Sequence, residues 1–351
     1  MGSRDNPFPI FYAQGIKTFP AQIFILGGDT MTKVCIKTKI VSLLIILTLA
    51  VSLFPISSQA KTRPADVKKA SSGNILVGVT GTYEKVSNTK ILNRINEIRK
   101  EACTKGYPNP ATGKKLKPSD YVPMKWSSNL EWIAQLRAAE CTVNEGHSRP
   151  NGKSCFSIKY KNEQSFAENL AWNYSGLMYG IEQWYSEKDD WVKQNSNAVT
   201  GHYTSLINPN YKFVGLGSFV RSSGGWYGIS AEFGYYTSGS QAQSKLKGKT
   251  TQTIEVIKKN TAKMKLNAPS SIKRKKSKQL TITCSVTYPG IMGGNNTTKA
   301  RISKNVTWKS SKPSVLTITS NGKITAKKAG KAVITAKAGG KTLRKTITVK
   351  K

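Results

Sequence analysis

The sequence predicts an α+β domain followed by a small all-β sandwich, and three observations carry that prediction. Apolar residues recur at helical period from residue 88 to about 194, two β-rich runs separated by glycines follow at 212–235, and short alternating runs at regular spacing fill 263–351. Helices first and a hairpin later argue for a layered α+β domain, not a doubly wound parallel sheet. A chain of 351 residues with 38% hydrophobic residues and seven Trp has room for two domains and enough apolar surface to bury, which excludes full disorder.

At the N-terminus, Lys33, Lys37 and Lys39 precede an apolar stretch from Ile40 to Ile56, and Ser58-Gln59-Ala60 supplies the small residues a signal peptidase needs. Residues 31–60 therefore read as a signal peptide cleaved after Ala60, with an uncleaved anchor helix as the alternative. Residues 1–30 lie upstream of that complete signal and read as an over-extended start, with Met31 as the initiator. No second run could span a bilayer, which excludes a multi-span membrane protein. The expected location is secreted or extracellular, in association with a cell wall. Export takes Cys103, Cys141, Cys155 and Cys284 out of the reducing cytosol. The first three share one domain, so at most one bridge forms there. Spacing does not choose its partners, and three quiet thiols are the alternative.

Residues 61–87 form a polar leader with a short Ile75–Val79 run and are assigned no structure. The domain proper is expected over 88–238. Ile91, Ile95, Ile98 and Ala102 lie on one helical face, and Gly106 and Pro108 end that helix. A second helix begins at Ser128, where Glu131 three residues later suggests a capping box, and runs through Leu130, Ala134, Arg137, Ala138 and Cys141. A third covers about 176–194 and carries Ile181, Trp184, Tyr185 and Trp191. Residues 212–220 and 226–235 are paired strands across Ser222-Ser223-Gly224-Gly225. Residues 239–262 are rich in Gly, Ser, Gln, Lys and Thr and read as a linker. The β runs at 280–286, 315–318, 323–326, 332–336 and 346–349 complete a sandwich over 263–351.

The chain has two histidines. His147 stands in Gly146-His147-Ser148-Arg149-Pro150, and His202 in Gly201-His202-Tyr203-Thr204; Glu168-Asn169-Leu170 and Trp184-Tyr185-Ser186-Glu187 lie between them. In that order the motifs resemble the CAP superfamily (cysteine-rich secretory proteins, antigen 5 and pathogenesis-related proteins) over roughly 88–238. The resemblance implies a three-layer α-β-α sandwich with two His and two Glu lining a cleft, here His147, Glu168, Glu187 and His202. Ser205 and Asn208 replace the family's usual Gln and Trp, and its Cys-Asn-Tyr signature has no counterpart. Both departures resemble bacterial members.

Two imidazoles and two carboxylates on one cleft suit a divalent cation such as Zn²⁺, with His147 and His202 as metal ligands. The same groups suit acid–base chemistry, with Glu168 and Glu187 as the candidate catalytic residues, or a polar network that holds layers together. Ser148 and Ser205 lack any nucleophile pattern. Trp126, Trp132, Trp172, Trp184, Trp191 and Tyr185 read as core before they read as a lipid groove, and Arg149 as a brace for the His147 loop.

Formal net charge is +37, and residues 241–351 carry 27 Lys and Arg against one acid, Glu255. Val306-Thr307-Trp308, Asn321-Gly322-Lys323 and Gly330-Lys331-Ala332 resemble the group 2 bacterial immunoglobulin-like domain over 263–351. That likeness implies Trp308 in the core and Gly322 in a turn of positive φ. Such a module attracts polyanions, most densely at Lys273-Arg274-Lys275-Lys276-Ser277-Lys278. An anionic cell-wall polymer or membrane surface is the expected partner. Nucleic acid is not, because stacking aromatics are nearly absent. The function expected is non-enzymatic binding of a small molecule, metal, lipid or protein at the cleft. A metal-assisted hydrolase and lipid or sterol binding are the alternatives.

Overall fold

The computed structural model describes residues 61–302 and 304–351. The start at 1–30, the signal peptide at 31–60 and Cys35 lie outside the described residues. Among the described residues no helix is long and apolar enough to cross a membrane.

Strands β1 (Lys61–Arg63) and β2 (Asn74–Tyr83) lead into helix α1 (Asn88–Lys105), which buries Ile91, Ile95, Ile98 and Ala102 as its period predicts. Gly106 stops it in the left-handed region, with its N–H on the carbonyl of Ala102. Strand β3 (Lys125–Trp126) precedes helix α2 (Ser128–Glu140). The cap of α2 falls one residue earlier than expected: Ser127 accepts the N–H of Leu130. Glu131 does not turn back to a capping position, because its carboxylate takes the Trp126 indole N–H at 3.0 Å and the Gln135 amide at 3.0 Å. Strand β4 (Ala167–Asn173) follows, and then the expected third helix breaks in two, α3 (Leu177–Tyr185) and α4 (Lys188–Val192), before α5 (Gly201–Ile207). Strands β5 (Phe213–Arg221) and β6 (Tyr227–Gly234) form the expected antiparallel hairpin.

Two sequence assignments change. The leader contains β2, and the linker contains β7 (Gly248–Ile257); these pair antiparallel along their whole length. Each lacks a partner nearby in sequence, so neither was legible locally. Strand β7 also hides its burial: Thr250, Gln252, Thr253 and Glu255 are buried polar residues, and Gln252 Oε1, for one, accepts the Tyr83 hydroxyl at 2.9 Å.

The remainder is all β: β8 (Thr261–Asn267), β9 (Ser271–Lys273), β10 (Ser277–Gln279), β11 (Thr281–Pro289), β12 (Asn295–Ile302), β13 (Thr307–Ser310), β14 (Leu316–Ile318), β15 (Lys323–Ala326), β16 (Gly330–Ala338) and β17 (Lys341–Lys350). The main sheet runs β4-β6-β5-β2-β12-β11-β8, so it passes from the helical half into the basic third without a break. One apolar cluster spans both, joining Leu130 and Leu136 of α2 to Val77 of β2, Ile254 of β7 and Ile282 and Val286 of β11. The two halves are packed together rather than strung on a tether. A smaller cluster around Leu316, Ile334 and Ile347 sits between the other two sheets. Trp308 is half-buried at the join of both clusters, not enclosed in one. It lies over Gly322, which has φ +81° and leaves only 2.8 Å from an added Cβ to the indole.

Helices cover both faces of the β4-β6-β5 part. Val214, Leu216, Ile229, Ala231 and Phe233 face α1, α3 and α5. The alternate residues of the same strands face α2, and several are glycines. A Cβ on Gly215 would stand 1.9 Å from the Glu131 backbone N, and one on Gly217 2.6 Å from the Ala134 carbonyl. The helix therefore rests on bare backbone, closer than side chains permit.

Candidate functional site

The close packing of α2 brings its polar face against the sheet. Arg137, placed where an apolar residue of the helical period would stand, is fully buried. Its guanidinium donates to Glu168 Oε2 at 2.6 Å and Oε1 at 3.2 Å, to Glu140 at 3.0 Å, and to the carbonyl of Gly146 at 2.9 Å. Arg137 thus holds both the carboxylate of β4 and the loop that carries His147. Glu140 in turn accepts from Arg149 at 2.8 Å and 3.0 Å, and Arg149 reaches Asp66 at 2.8 Å. Arg149 does brace the loop, as the sequence suggests, by burying its charge in this network.

The four residues singled out by sequence form two imidazole–carboxylate pairs. His147 Nδ1 lies 2.8 Å from Glu168 Oε1, and His202 Nδ1 lies 2.5 Å from Glu187 Oε1. Glu187 sits at the break between α3 and α4, and its other oxygen accepts the backbone N–H of His202 at 3.0 Å and of Tyr203 at 3.1 Å. It caps the start of α5 and fixes the imidazole with the same group. Edge strand β4 touches both pairs through successive residues: Glu168 holds His147, while Asn169 donates to the His202 carbonyl at 2.9 Å. Successive residues of one edge strand thus hold the His147 ring and the His202 backbone.

Burial alone would raise the Glu168 pKa, but the Arg137 charge and the hydrogen bonds from His147 and Arg137 outweigh it and hold the carboxyl at about 2. Across the strand pair stands Glu232, directly opposite in register. It is buried beside the ionised Glu168, and burial first, then that charge, push its carboxyl well above the usual range. The position thus favours the neutral form of Glu232 beside the ionised Glu168.

With Nδ1 directed at a carboxylate, each ring donates its Nδ1–H, and the neutral form of such a ring carries its lone pair on Nε2. No described side chain hydrogen-bonds to either Nε2, and neither atom is among the buried polar atoms without a partner. The two rings are the groups with coordination capacity to spare; the glutamates orient them.

Among the described residues, one group of three or more metal-ligating side chains lies close together, His147, Cys155 and Glu168, with ligand atoms within 4.8 Å of one another. This set is not the His147, Glu168, Glu187, His202 quartet read from sequence, and it fits a metal poorly. Arg137 occupies both oxygens of Glu168, and burial, then the Glu168 charge, push the Cys155 thiol up, away from the thiolate a metal takes. All four described cysteines are buried free thiols, so the one bridge the sequence allowed does not form.

Sequence reasoning missed Arg137, Glu140, Cys155 and Glu232. A signal for the first was present: Arg137 follows Leu130 and Ala134 on the apolar face, where a charge requires a buried partner.

The chain belongs to the cysteine-rich secretory protein (CAP) family, whose family model matches residues 92–238. It is 30% identical over 169 residues to venom allergen 5.02 of Vespa crabro, covering 45% of this chain and 78% of that protein. It is 30% identical over 132 residues to cysteine-rich secretory protein 2 of Homo sapiens, covering 36% of this chain and 46% of that one. A solved structure, that of BmVAL-1, superposes with TM-score 0.32 and 18% identity over 46% of this chain and 82% of that chain.

Proposed function

We propose that the protein is an exported, non-enzymatic binding protein in which His147 and His202 contact the ligand through Nε2, while Glu168 and Glu187 position them. The observation that carries the reading is the pairing of both imidazoles, each through Nδ1, with a glutamate, at 2.8 Å and 2.5 Å. Histidines that ligate cations are held in this way, and the carboxylate raises the basicity of the free nitrogen. A divalent cation such as Zn²⁺ fits this donor chemistry, and it would supply a Lewis-acidic centre for a further ligand. Hydrolysis through Glu168 has less support, because Arg137 occupies both of its oxygens and holds its carboxyl well below the usual range, which makes it a weak base for activating water.

The export reading is supported by the signal-like segment at 31–60, and attachment by the bacterial immunoglobulin-like motifs and 27 basic residues of the C-terminal third. An anionic polymer of the cell wall is the partner this charge suits. Calorimetric titration with Zn²⁺ tests the site: the wild type should release or take up heat at a defined stoichiometry, and His147→Ala and His202→Ala should each weaken binding by about tenfold or more. Identical isotherms for all three proteins would remove the histidines from the site.

A further inference from the structure

The basic third meets the helical half along a groove of about 700 Å³. Lys258 and Lys259, in the turn after β7, and Lys341, at the start of β17, all line it. All three are exposed. The Gly339-Gly340 turn between β16 and β17 brings the walls together: a Cβ on Gly340 would stand 3.8 Å from Lys258 Nζ, and one on Gly339 2.8 Å from Ile75 and 3.0 Å from Met264. Half-buried Ile257 and Met264 give the groove an apolar floor.

No acid lines this groove. The one acid of the basic third, Glu255, is close by but fully buried. Its carboxylate is consumed by the N–H of Ser71 at 2.6 Å and by the amides of Asn74 at 3.2 Å and Asn151 at 2.8 Å. Those two asparagines line the groove, so the buried acid shapes its wall without offsetting its charge outside. No aromatic ring lines it either, which leaves nucleic-acid bases nothing to stack on. A concave channel also fits a single strand better than a flat lipid surface.

We infer that this groove is the seat of an anionic glycopolymer, a chain whose phosphate or carboxylate groups recur along a sugar or polyol backbone. The lysines take the charges and the Ile257–Met264 floor takes the carbon skeleton. This inference rests on the polymer-attachment reading above and sharpens it, because it places recognition at three lysines and not at the densest basic run, 273–278. Ammonium groups bind phosphate and carboxylate alike as point charges, so both polymer chemistries belong in the test.

The experiment compares wild type with two triple variants of equal charge loss, Lys258→Gln/Lys259→Gln/Lys341→Gln in the groove and Lys273→Gln/Lys276→Gln/Lys278→Gln on the exposed run. Binding to poly(glycerol phosphate) and to polygalacturonate is read by calorimetry over a salt series, with single-stranded oligonucleotide and anionic vesicles as comparisons. At about fivefold per lysine near an anionic ligand, the groove variant should bind about 100-fold more weakly to at least one polymer, with a shallower salt dependence. The surface variant should change by a few fold. Equal losses in both variants would overturn the groove and leave diffuse attraction in its place. Tighter binding of the oligonucleotide or vesicles than of either polymer would overturn the polymer as occupant. No binding of any polyanion by wild type would overturn the attachment reading along with it. Unchanged melting temperatures in both variants separate lost binding from lost fold.

Discussion

Replacing Gly215 with alanine is expected to leave no stable native protein. The added methyl would sit 1.9 Å from the Glu131 backbone N and 2.3 Å from the Leu130 carbonyl carbon. Both atoms belong to the helix backbone, so no side-chain rotation relieves the contact; α2 must lift from the sheet. That movement would also open the buried Arg137–Glu168 contact, because Arg137 is two turns along the same helix. Core overpacking costs about 1–3 kcal/mol when neighbours can shift. Here they cannot, so a loss of about 4 kcal/mol or more is expected. Gly224→Ala provides the comparison: its Cβ meets nothing within 4 Å, and only its φ of +85° opposes the change. Its cost should be about 1 kcal/mol. Urea unfolding of the three proteins checks this, and a Gly215→Ala midpoint within experimental error of wild type would contradict the close approach.

Glu140→Ala is expected to cost about 3–5 kcal/mol, the effect of removing one partner from a buried ionic network. The Glu140 side chain is fully buried and answers two guanidinium groups, Arg137 at 3.0 Å and Arg149 at 2.8 Å. Without it, both cations remain inside with one acidic partner each, Glu168 and Asp66. Charge pairing on this protein is not uniformly valuable. Arg94 and Glu182 also meet, at 2.7 Å, with side chains 26% and 44% exposed. Glu182→Ala should therefore cost at most about 1 kcal/mol. Equal losses from the two substitutions, read from denaturant titrations, would mean that the interior network is hydrated and weak.

Much of the helical half was legible because its signals are local. The face of α1 follows from four apolar residues at regular spacing, and the β5–β6 hairpin from two β-rich runs around a glycine cluster. The four residues of the candidate site stand in short motifs that sequence alone displays. What escaped depends on distant partners. Strands β2 and β7 pair across more than 160 residues, so each looked like a polar connector. Helix α2 is legible as a helix, but its burial almost all round is not, because glycines on β5 let it sink against the sheet and burial of its charges is offset within the same layer. From residue type the glutamates are open to three roles: cation ligand, acid–base group or member of a polar network. Only the coordinates reveal Arg137 on one and the start of α5 on the other, which turns both into positioning groups.

The central claim is that both imidazoles are held as one tautomer, Nδ1–H toward glutamate and Nε2 free to bind. With two histidines in the chain, ¹⁵N-edited NMR of the rings at about pH 8, above the ordinary imidazole range, tests it most directly. His147→Gln and His202→Gln assign the signals. The account predicts that each ring carries its proton on Nδ1, that Nε2 shows the shift of an unprotonated nitrogen, and that Zn²⁺ perturbs Nε2 first. Rings protonated at Nε2, or averaging between tautomers as free imidazole does, would contradict it.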